Sequence, residues 1–516
     1  MEIPDHSRAA TTLLEIFKSG RPLIYVRSAE EDRVSDLLRS AGRQLGAATP
    51  LPVWTWSLTQ GLFSGEHASQ VGNDNPDKAS APCACDPREA LDFIAQQSSP
   101  AIFHLKDFHE PLRDSASVRR RLRDLYDICL DRQKFVVITS PLRAIPEEIE
   151  RSIAVVDLLP PDLTELAEFL RSETDQIIAR GAHADTGDEV LYQLARALQG
   201  LTLDEARHAV RRALAVSQSL SVESVPAILE EKRVVISRSG VIEYVADNTS
   251  IGEVGGLENL KNWLLERRKL FQQRDTLNAD IVPKGVLVMG IPGCGKSLSV
   301  KAIASCFALP LYRIDMIEVF SGRHGQPEGA FVAACRMLES LAPAIVWFDE
   351  IETGISSTET GGQQGRIFAF FLTWMQEKAP GLFVAATANR IDLLPAEMIR
   401  KGRFDEVFFV DLPHDEERVA VFKVHLGRRG VDPSGFDFAQ IIEFTNGWTG
   451  AEIEQCVISA LTRARLEDRE VSEDDLVNAA VGGVPLSRAM KEQINHIRQW
   501  AFQRAVRASL TPRRAE

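Results

Sequence analysis

The sequence has no apolar run long enough to cross a membrane and contains little cysteine. Its seven cysteines are scattered over 516 residues, which is typical of a protein in a reducing compartment. The first residues are polar and then amphipathic, without the pattern of a secretory signal. We therefore expect a cytoplasmic protein that does not bind membranes.

The sequence also lacks a zinc-protease motif and an excess of positive charge. No HExxH segment is present, which argues against a fused metalloprotease activity. The formal net charge is −14, and an acidic chain repels phosphate backbones, so binding to nucleic acids is not expected. A length of 516 residues, 26% of them charged, predicts a globular protein of several domains.

The C-terminal half alternates short apolar runs with helical patterns. This alternation predicts a parallel sheet with helices on both faces. After Pro413 the strand signals stop, and we expect four lid helices near 415–427, 436–444, 449–466 and 472–480. The predicted strands are 284–290, 310–315, 344–349, 382–389 and 406–412.

The N-terminal half repeats this plan. A helical stretch runs from 162 to about 230, and its segment 200–214 resembles 447–461 in a Gly-x-Thr start and apolar spacing. We interpret the two halves as a diverged duplication, although any two α/β domains share such a pattern. The stretch 61–86, rich in Gly, Ser, Asn, Asp and Pro, predicts a long surface loop. The predicted strands are 22–28, 52–57, 100–108, 134–140 and 153–159.

The expected fold class is α/β, with two tandem modules that each combine a five-stranded parallel sheet and a helical lid. The tail 488–516 carries seven Lys/Arg against two Glu, and either a solvated helix face or a binding patch would explain it. The expected segments are an α/β domain at 1–160, its lid at 161–230, a linker at 231–250, an α/β domain at 251–413, its lid at 414–482 and a basic helix at 483–516.

A phosphate-binding motif lies between a predicted strand and a helix expected at 296–307. It consists of Gly290, Ile291, Pro292, Gly293, Cys294, Gly295, Lys296 and Ser297, with Leu298 next in the helix. Glycines let backbone N–H groups converge on phosphate oxygens, and the helix dipole adds to that attraction. Lys296 would bind the β- and γ-phosphates, and the Ser297 hydroxyl would ligate Mg²⁺. This context predicts binding of ATP and Mg²⁺.

Two acids stand at the end of the strand predicted at 344–349. Asp349 is its last residue, and Glu350 comes directly after it. Asp349 would hold Mg²⁺ through water, and Glu350 would polarise the water that attacks the γ-phosphate. Such a pair alone more often caps a helix, but its place after a phosphate-binding loop favours catalysis. Asn389, at the end of another strand, would hold the water or the γ-phosphate, or would only form a turn. The predicted reaction is hydrolysis of ATP to ADP and phosphate.

Two arginines, Arg400 and Arg403, precede the last predicted strand of the C-terminal half. Arginine suits the charge on a transferring phosphoryl group because its guanidinium is a planar fork of donors. If the two act in trans, the active site is built between subunits, which requires a ring or at least a dimer. The alternative is a surface pair tied to Asp405.

These motifs in this order resemble the AAA family within the AAA+ ATPases, over about 248–480. The resemblance implies an arginine-finger role for Arg400 and Arg403, and it implies a hexameric ring that remodels or threads a protein client. Segments such as HLKDFHEPL and ATANRIDLLPAEMIRKGRFDEVFFVDLP are similar to the branch named for hypothetical chloroplast open reading frame forty-six. The implied additional nucleotide contacts are Val254, Gly255, His425, Gly450 and Ala451.

The sequence departs from the family pattern at two places. In the N-terminal half, SAEEDRVSDLL replaces the glycine loop, and its acids would repel a triphosphate. There Asp107 ends a strand as Asp349 does, but Lys106 precedes it and no Glu follows. We therefore predict a pseudo-ATPase module that does not bind ATP.

The second departure lies in the pore loop. Many motors of the family carry an aromatic–hydrophobic–Gly triplet there, whereas this chain has Arg323, His324 and Gly325, with Phe320 nearby. General threading of protein is therefore doubtful. The sequence favours a remodeller of one unknown protein client. A switch or scaffold with slow hydrolysis is the alternative, and a nucleic-acid motor is disfavoured by the acidic charge.

Overall fold

The computed structural model describes residues 7–46, 49–64, 85–237, 240–246, 249–274, 276–323, 325–354, 363–390, 393–400, 402–481, 483 and 485–510. Most of the loop predicted at 61–86, His324 of the pore triplet and the end of the basic tail lie outside these residues. The chain divides into two compact units, Met1–Lys232 and Arg233–Glu516. No helix of the described part is both long and apolar enough to span a membrane.

The first unit is built on a six-stranded sheet. Its strands are β1 (Leu23–Arg27), β2 (Val53–Ser57), β3 (Gly61–Ser64), β4 (Ala101–Lys106), β5 (Lys134–Ser140) and β6 (Ala154–Asp157). The spatial order is β3-β2-β4-β5-β1-β6, and the five predicted strands run parallel. The edge strand β3 runs antiparallel to β2 and corrects the prediction of a loop from residue 61, because Leu62 is buried beside the sheet.

Helices cover this sheet and form a small lid with one short pair of strands. They are α1 (Arg8–Lys18), α2 (Glu31–Leu45), α3 (Pro87–Gln96), α4 (His109–Asp114), α5 (Ala116–Cys129), α6 (Glu147–Glu150), α7 (Leu163–Ala179), α8 (Asp188–Leu198), α9 (Leu203–Ser217) and α10 (Val225–Ser237), whose residues from Arg233 onwards belong to the second unit. The short strands are β7 (His183–Ala184) and β8 (Ser219–Leu220). Apolar side chains form one buried cluster on each face of the main sheet, as expected for a parallel sheet.

The second unit is built on a seven-stranded sheet. Its strands are β9 (Ile242–Val245), β10 (Gly285–Gly290), β11 (Leu311–Ile314), β12 (Ala344–Phe348), β13 (Leu382–Ala388), β14 (Glu406–Val410) and β15 (Val506–Arg507). The order is β15-β14-β10-β13-β12-β11-β9. The five predicted strands form its centre, and both edge strands were missed. The antiparallel β9 lies in the expected linker, and the parallel β15 lies in the expected basic helix.

The helices of the second unit again cover both faces and continue into a lid. They are α11 (Glu258–Gln272), α12 (Lys296–Phe307), α13 (Met316–Phe320), α14 (Pro327–Ser340), α15 (Gln363–Glu377), α16 (Asp415–Gly427), α17 (Ala439–Phe444), α18 (Gly450–Leu466), α19 (Glu473–Val481), α20 (Leu486–Ala489) and α21 (Lys491–Phe502). Helices α16 to α19 surround a core of their own, which includes Phe422, Trp448 and Leu476.

The two units share one strand order. In the first, β3-β2-β4-β5-β1-β6 corresponds position by position to β9-β11-β12-β13-β10-β14 in the second. In both, the outer strand at one edge is antiparallel and the other five corresponding strands are parallel, and the second unit adds the parallel β15. The common order confirms the predicted tandem α/β architecture and makes the two sites directly comparable.

Candidate nucleotide-binding site

The phosphate-binding loop joins the buried strand β10 to helix α12, as the sequence predicts. Gly290 ends the strand, and the Ile291 backbone N–H donates to the carbonyl of Val410 at 3.1 Å, which anchors the loop to β14. Gly295, with φ +93°, takes the left-handed turn that lets α12 begin at Lys296. The first N–H groups of a helix have no partner within it, so the start of α12 at this loop is suited to binding an anion.

The Lys296 ammonium donates hydrogen bonds to backbone carbonyls of the phosphate-binding loop. Its Nζ donates to the carbonyl oxygens of Gly290, at 3.0 Å, and Ile291, at 2.8 Å. Burial lowers the pKa of Lys296 to about 8, although neighbouring groups that include Glu352 and Glu350 oppose the shift. Burial also raises the pKa of the Cys294 thiol, to about 12, so this cysteine is a protonated lining residue.

One hydroxyl connects the two acids that follow β12. Thr387 Oγ1 donates to Asp349 Oδ1 at 2.7 Å and accepts the backbone N–H of Glu350 at 3.1 Å. Glu350 has φ +45°, a left-handed conformation that is uncommon for a residue with a side chain. Thr387 therefore fixes the turn in which the predicted metal ligand and the predicted base stand side by side. The sequence interpretation missed this residue.

Asn389 and Glu352 complete the end of the neighbouring strand. The Asn389 side-chain amide donates to Glu350 Oε1 at 2.7 Å. Glu352 is 3% exposed, and its Oε1 accepts the backbone N–H groups of Asn389, at 2.7 Å, and Arg390, at 3.1 Å. Burial raises the pKa of Glu352. Asn389 is thus hydrogen-bonded to the predicted base.

A cavity of about 400 Å³ opens above the loop, between the sheet and the lid. The predicted residues that line it are Val254, Gly255, Pro292, Gly293, Cys294, Gly295, Lys296, Ser297, Leu298, Glu350, Asn389, His425, Gly450 and Ala451. The sequence interpretation missed six lining residues, which are Glu253, Leu257, Val421, Val424, Arg428 and Glu454. No sequence pattern marks these residues strongly, because each lies in an ordinary helix or loop and most of its neighbours in the cavity are distant in the sequence.

A hydrogen bond and a close backbone approach are among the contacts between the lid and the rest of the site. At the start of α18, the Ala451 N–H donates to the carbonyl of Gly293 at 2.9 Å. At the other end, a Cβ on Gly255 would lie 2.7 Å from Val421 Cγ2 and 2.9 Å from the Val421 backbone nitrogen. Only glycine fits that approach, so the chain segment before α11 and helix α16 close on each other around the cavity.

His425 lies at the lid end of the cavity in a charged setting. Its Nδ1 is 3.7 Å from Glu454 Oε1, which also accepts from Arg429 at 2.8 Å. Burial lowers the pKa of His425, so the neutral imidazole is favoured. On the same rim, Arg428 pairs with Glu253 at 2.9 Å. These groups surround the position where the resemblance expects adenine and ribose.

The two predicted arginine fingers do not line this cavity within the described chain. Arg403 donates from a guanidinium nitrogen to the backbone carbonyl of Glu397. Arg400 lines a separate cavity of about 500 Å³. Asp405 accepts the backbone N–H groups of Lys284, at 2.7 Å, and Gly285, at 2.8 Å. The arginines therefore stand apart from the nucleotide cavity of their own subunit.

The sequence analysis matched Asp107 of the first unit to Asp349, and the structure corrects that correspondence. Lys106 is the last residue of β4, and the following Asp107 has φ +49°, as Glu350 has φ +45° after Asp349. The register agrees, because Lys106 pairs with Thr139, which occupies the place of Thr387 in β13. Asp107 thus corresponds to Glu350 and not to Asp349. A lysine stands where the second unit has its predicted metal ligand.

Charges at this position of the first unit are inverted. Helix α2 begins with Glu31, whereas α12 begins with Lys296. Lys106 Nζ lies 3.1 Å from Glu31 Oε2, so the first unit has an internal ion pair where the second unit has Lys296 and Asp349. The loop between β1 and α2 is also shorter than the loop of the second unit.

A buried ionic cluster joins the lid of the first unit to this position. Arg33, 2% exposed, contacts Glu30 and Glu165 at 2.8 Å each. Glu30 also accepts the backbone N–H of Leu203, the first residue of α9, at 2.6 Å. Burial raises the pKa of Glu30. The Glu30 carboxylate thus binds the start of α9, the lid helix of the first unit that corresponds to α18 of the second.

Comparisons with known proteins agree over most of the chain. A model for the AAA ATPases associated with various cellular activities matches residues 286–412. Models for the N-terminal and second domains of SpoVK-like AAA ATPases match residues 9–158 and 164–239.

Several AAA domain-containing proteins named ycf46 match over nearly their full length. The one from Pyropia yezoensis is 35% identical over 96% of this chain and 98% of its own length. The proteins from Trieres chinensis and Guillardia theta are 32% and 34% identical, over 97% and 94% of this chain and 98% and 93% of their own lengths.

Proposed function

The chain belongs to the AAA family of ATPases, and from that membership we propose that its second unit binds ATP with Mg²⁺ and hydrolyses ATP to ADP and phosphate. The observation that carries the proposal is one cavity that holds the loop, Lys296, Glu350 and Asn389 together. A cation, a carboxylate and an amide that converge beside a nest of backbone N–H groups form the set of groups that phosphoryl transfer requires.

Each residue has a role in this proposal. The loop N–H groups and Lys296 bind the phosphates, and Glu350 accepts the proton of the attacking water, which Asn389 helps to orient. Ser297 and Asp349 fit Mg²⁺, because a hydroxyl and a carboxylate are oxygen donors of the type it prefers. When bound, the ion would neutralise phosphate charge. Val254, Gly255, His425, Gly450 and Ala451 enclose the base and ribose.

Completion of the site by a neighbouring subunit is part of the proposal. Arg400 and Arg403 lie away from the cavity of their own chain, so they would reach a γ-phosphate only in another copy. A ring, which we take to be a hexamer, satisfies this requirement for every subunit. Mixing Arg403→Ala with Lys296→Ala subunits tests it, because mixed rings recreate intact sites. Activity no greater than the sum of the two mutants would contradict a shared site.

For the first unit we propose a module that does not bind ATP. The Lys106–Glu31 ion pair and the Arg33 cluster support this, because they fill with protein charges the places that phosphates and metal would take. A negative carboxylate at the start of α2 would repel a triphosphate. The module would serve in assembly or in recognition of the client.

For the work done with ATP, we propose remodelling of a specific protein client. Capture of bound proteins by the Glu350→Gln form tests it, because loss of the base leaves nucleotide and client bound. A client retained by Glu350→Gln and released by Lys296→Ala supports remodelling. Equal recovery with both variants would count against it.

One observation favours a second candidate, a nucleotide-controlled switch without threading. Phe320, the aromatic side chain near the expected pore loop, packs against the core of the sheet. Arg323 is exposed and pairs with Glu318 at 3.2 Å. Neither presents an apolar grip to an unfolded chain. The switch predicts that ATP changes the oligomeric state of Glu350→Gln while no client is trapped.

A further inference from the structure

The last helix and strand of the chain are built into the ATPase sheet. We call Lys491–Leu510 the C-terminal strap. Its strand β15 pairs with β14, and the Ala508 N–H donates to the carbonyl of Phe409 at 2.9 Å. Ala508 is fully buried, and Asn259 of α11 donates to the carbonyl of Arg507 at 3.0 Å. The basic tail is therefore a structural part of the second unit.

The other end of the strap lies against the arginine loop, which we define as Leu394–Arg400. Ile497 and Ala501 of α21 are buried in the same core cluster as Leu394 and Met398. The helix and the loop therefore share one apolar core. The loop contains one short 3-10 turn, Ala396–Ile399, and such a short element depends on packing to hold its exposed side chains in one place.

The strap and the arginine loop share the cavity that contains Arg400. Six residues line it, which are Leu394, Glu397, Ile399, Arg400, Trp500 and Arg504. The Arg504 guanidinium stacks over the Trp500 ring, 5.0 Å from its centre, which is a cation–π contact. Trp500 therefore fixes one arginine directly and forms the wall beside the other. Two guanidinium groups and one carboxylate, that of Glu397, thus line one opening, which leaves it with a net positive charge.

The same helix also contacts the nucleotide side of the sheet. Arg498 pairs with Asp411, with 2.7 Å between a guanidinium nitrogen and Oδ1. Asp411 follows Val410, whose carbonyl anchors Ile291 of the phosphate-binding loop. Helix α21 thus connects the arginine loop to the strand that supports the chain's own ATP site.

We propose that the strap positions Arg400 for the nucleotide of a neighbouring copy, with Trp500 as the positioning residue and Arg504 as a second cation at that face. The inference rests on the proposed shared site. It assigns a function to the basic tail, because each strap would serve hydrolysis in the next subunit.

The first test is steady-state ATP hydrolysis by Trp500→Ala. We expect kcat to fall about tenfold while KM changes less than about threefold, because the chain's own cavity is untouched. Trp500→Phe should keep most of the activity, since it retains an aromatic wall. Lys491→Ala, at an exposed position of the same helix, should behave as the wild type. An equal loss in Trp500→Ala and Lys491→Ala would overturn the proposal.

The second test mixes Trp500→Ala with Lys296→Ala subunits. A positioning role in trans predicts activity above the sum of the two, because some intact ATP sites then face intact straps. If Arg403→Ala is rescued by Lys296→Ala but Trp500→Ala is not, the strap acts only inside its own subunit and the inference fails. If neither is rescued, the shared site itself is wrong. Arg504→Ala, an exposed change that spares folding, should show the same rescue.

Discussion

A substitution of Thr387 should change the positions of Asp349 and Glu350 in the proposed ATP site without changing their charges. Its hydroxyl lies between Asp349 and the backbone of Glu350. Thr387→Val keeps the shape but removes both hydrogen bonds, so we expect kcat to fall about tenfold or more, which corresponds to about 1.4 kcal/mol. Binding of ATP, measured by equilibrium titration, should change little.

Thr387→Ser is the matched control because it restores the hydroxyl on a smaller side chain. We expect it to recover most of the turnover that Thr387→Val loses. Equal activity of the Val variant and the wild type would show that the two acids keep their positions without the hydroxyl.

His104 is a buried titratable residue of the first unit and should make its stability depend on pH. The ring contacts Ser35 at 3.1 Å and Thr139 at 2.9 Å, and burial lowers the pKa of His104 to about 3. The unfolded chain therefore binds a proton below about pH 6.5 that the folded unit rejects. Stability should fall as the pH drops from about 6 towards 3, by up to about 1.4 kcal/mol per unit.

Hydrogen exchange of β4 and β5 in the full chain, followed at several pH values, measures this effect. His104→Gln retains polar atoms for both neighbours but has no titrating ring, so its stability should fall less steeply with acid. The same slope in both proteins would assign the effect to other groups.

At single positions, the sequence predicted residues that belong to one continuous motif. Lys296 and Ser297 stand beside their glycines in the chain, so chemistry and spacing are read together. Thr387 and Glu454 depend on partners that only folding brings near, and no local pattern marks them. The match of Asp107 to Asp349 was wrong for a related reason. The register of the strands, and not the residue type, shows that Asp107 corresponds to Glu350.

At the scale of elements, the closure of the lid depends on Gly255. A side chain there would collide with Val421 of α16. We expect Gly255→Ala to push α16 away and weaken ATP binding about tenfold, with little change in the stability of the sheet. Equilibrium binding and thermal unfolding measure the two effects separately.

Gly427→Ala is the matched control, because a Cβ there meets nothing within 4 Å at the end of the same helix. It should bind ATP as the wild type does. If Gly255→Ala and Gly427→Ala bind ATP with equal affinity, the close approach of Gly255 to Val421 is not needed for ATP binding.

The central strands and the lid helices could be predicted because their apolar periods are long and regular. Helix α12 and lid helix α16 begin and end where the sequence places them. The edge strands could not be predicted. Strand β15 has only two residues and exists because β14 offers a free edge beside a buried Ala508. Pairing across almost a hundred residues of chain leaves no local signal.

At the scale of the whole molecule, the two units share an architecture but carry opposite charges at corresponding positions. Lys296 and Asp349 in one unit have Glu31 and Lys106 as counterparts in the other. The duplication could be predicted from repeated strand patterns, and so could the loss of the glycine loop. The ion pair of the first unit and its buried Arg33 cluster could not be predicted, because they depend on the folded arrangement of β4, α2 and the lid.

The number of ATP molecules bound per chain tests the central claim most directly. Titration of the purified full-length protein with Mg²⁺ and ATP should show one saturable site per chain, and Lys296→Ala should abolish it. No binding by the wild type, or a site that survives in Lys296→Ala, would contradict the assignment of nucleotide binding to the second unit alone.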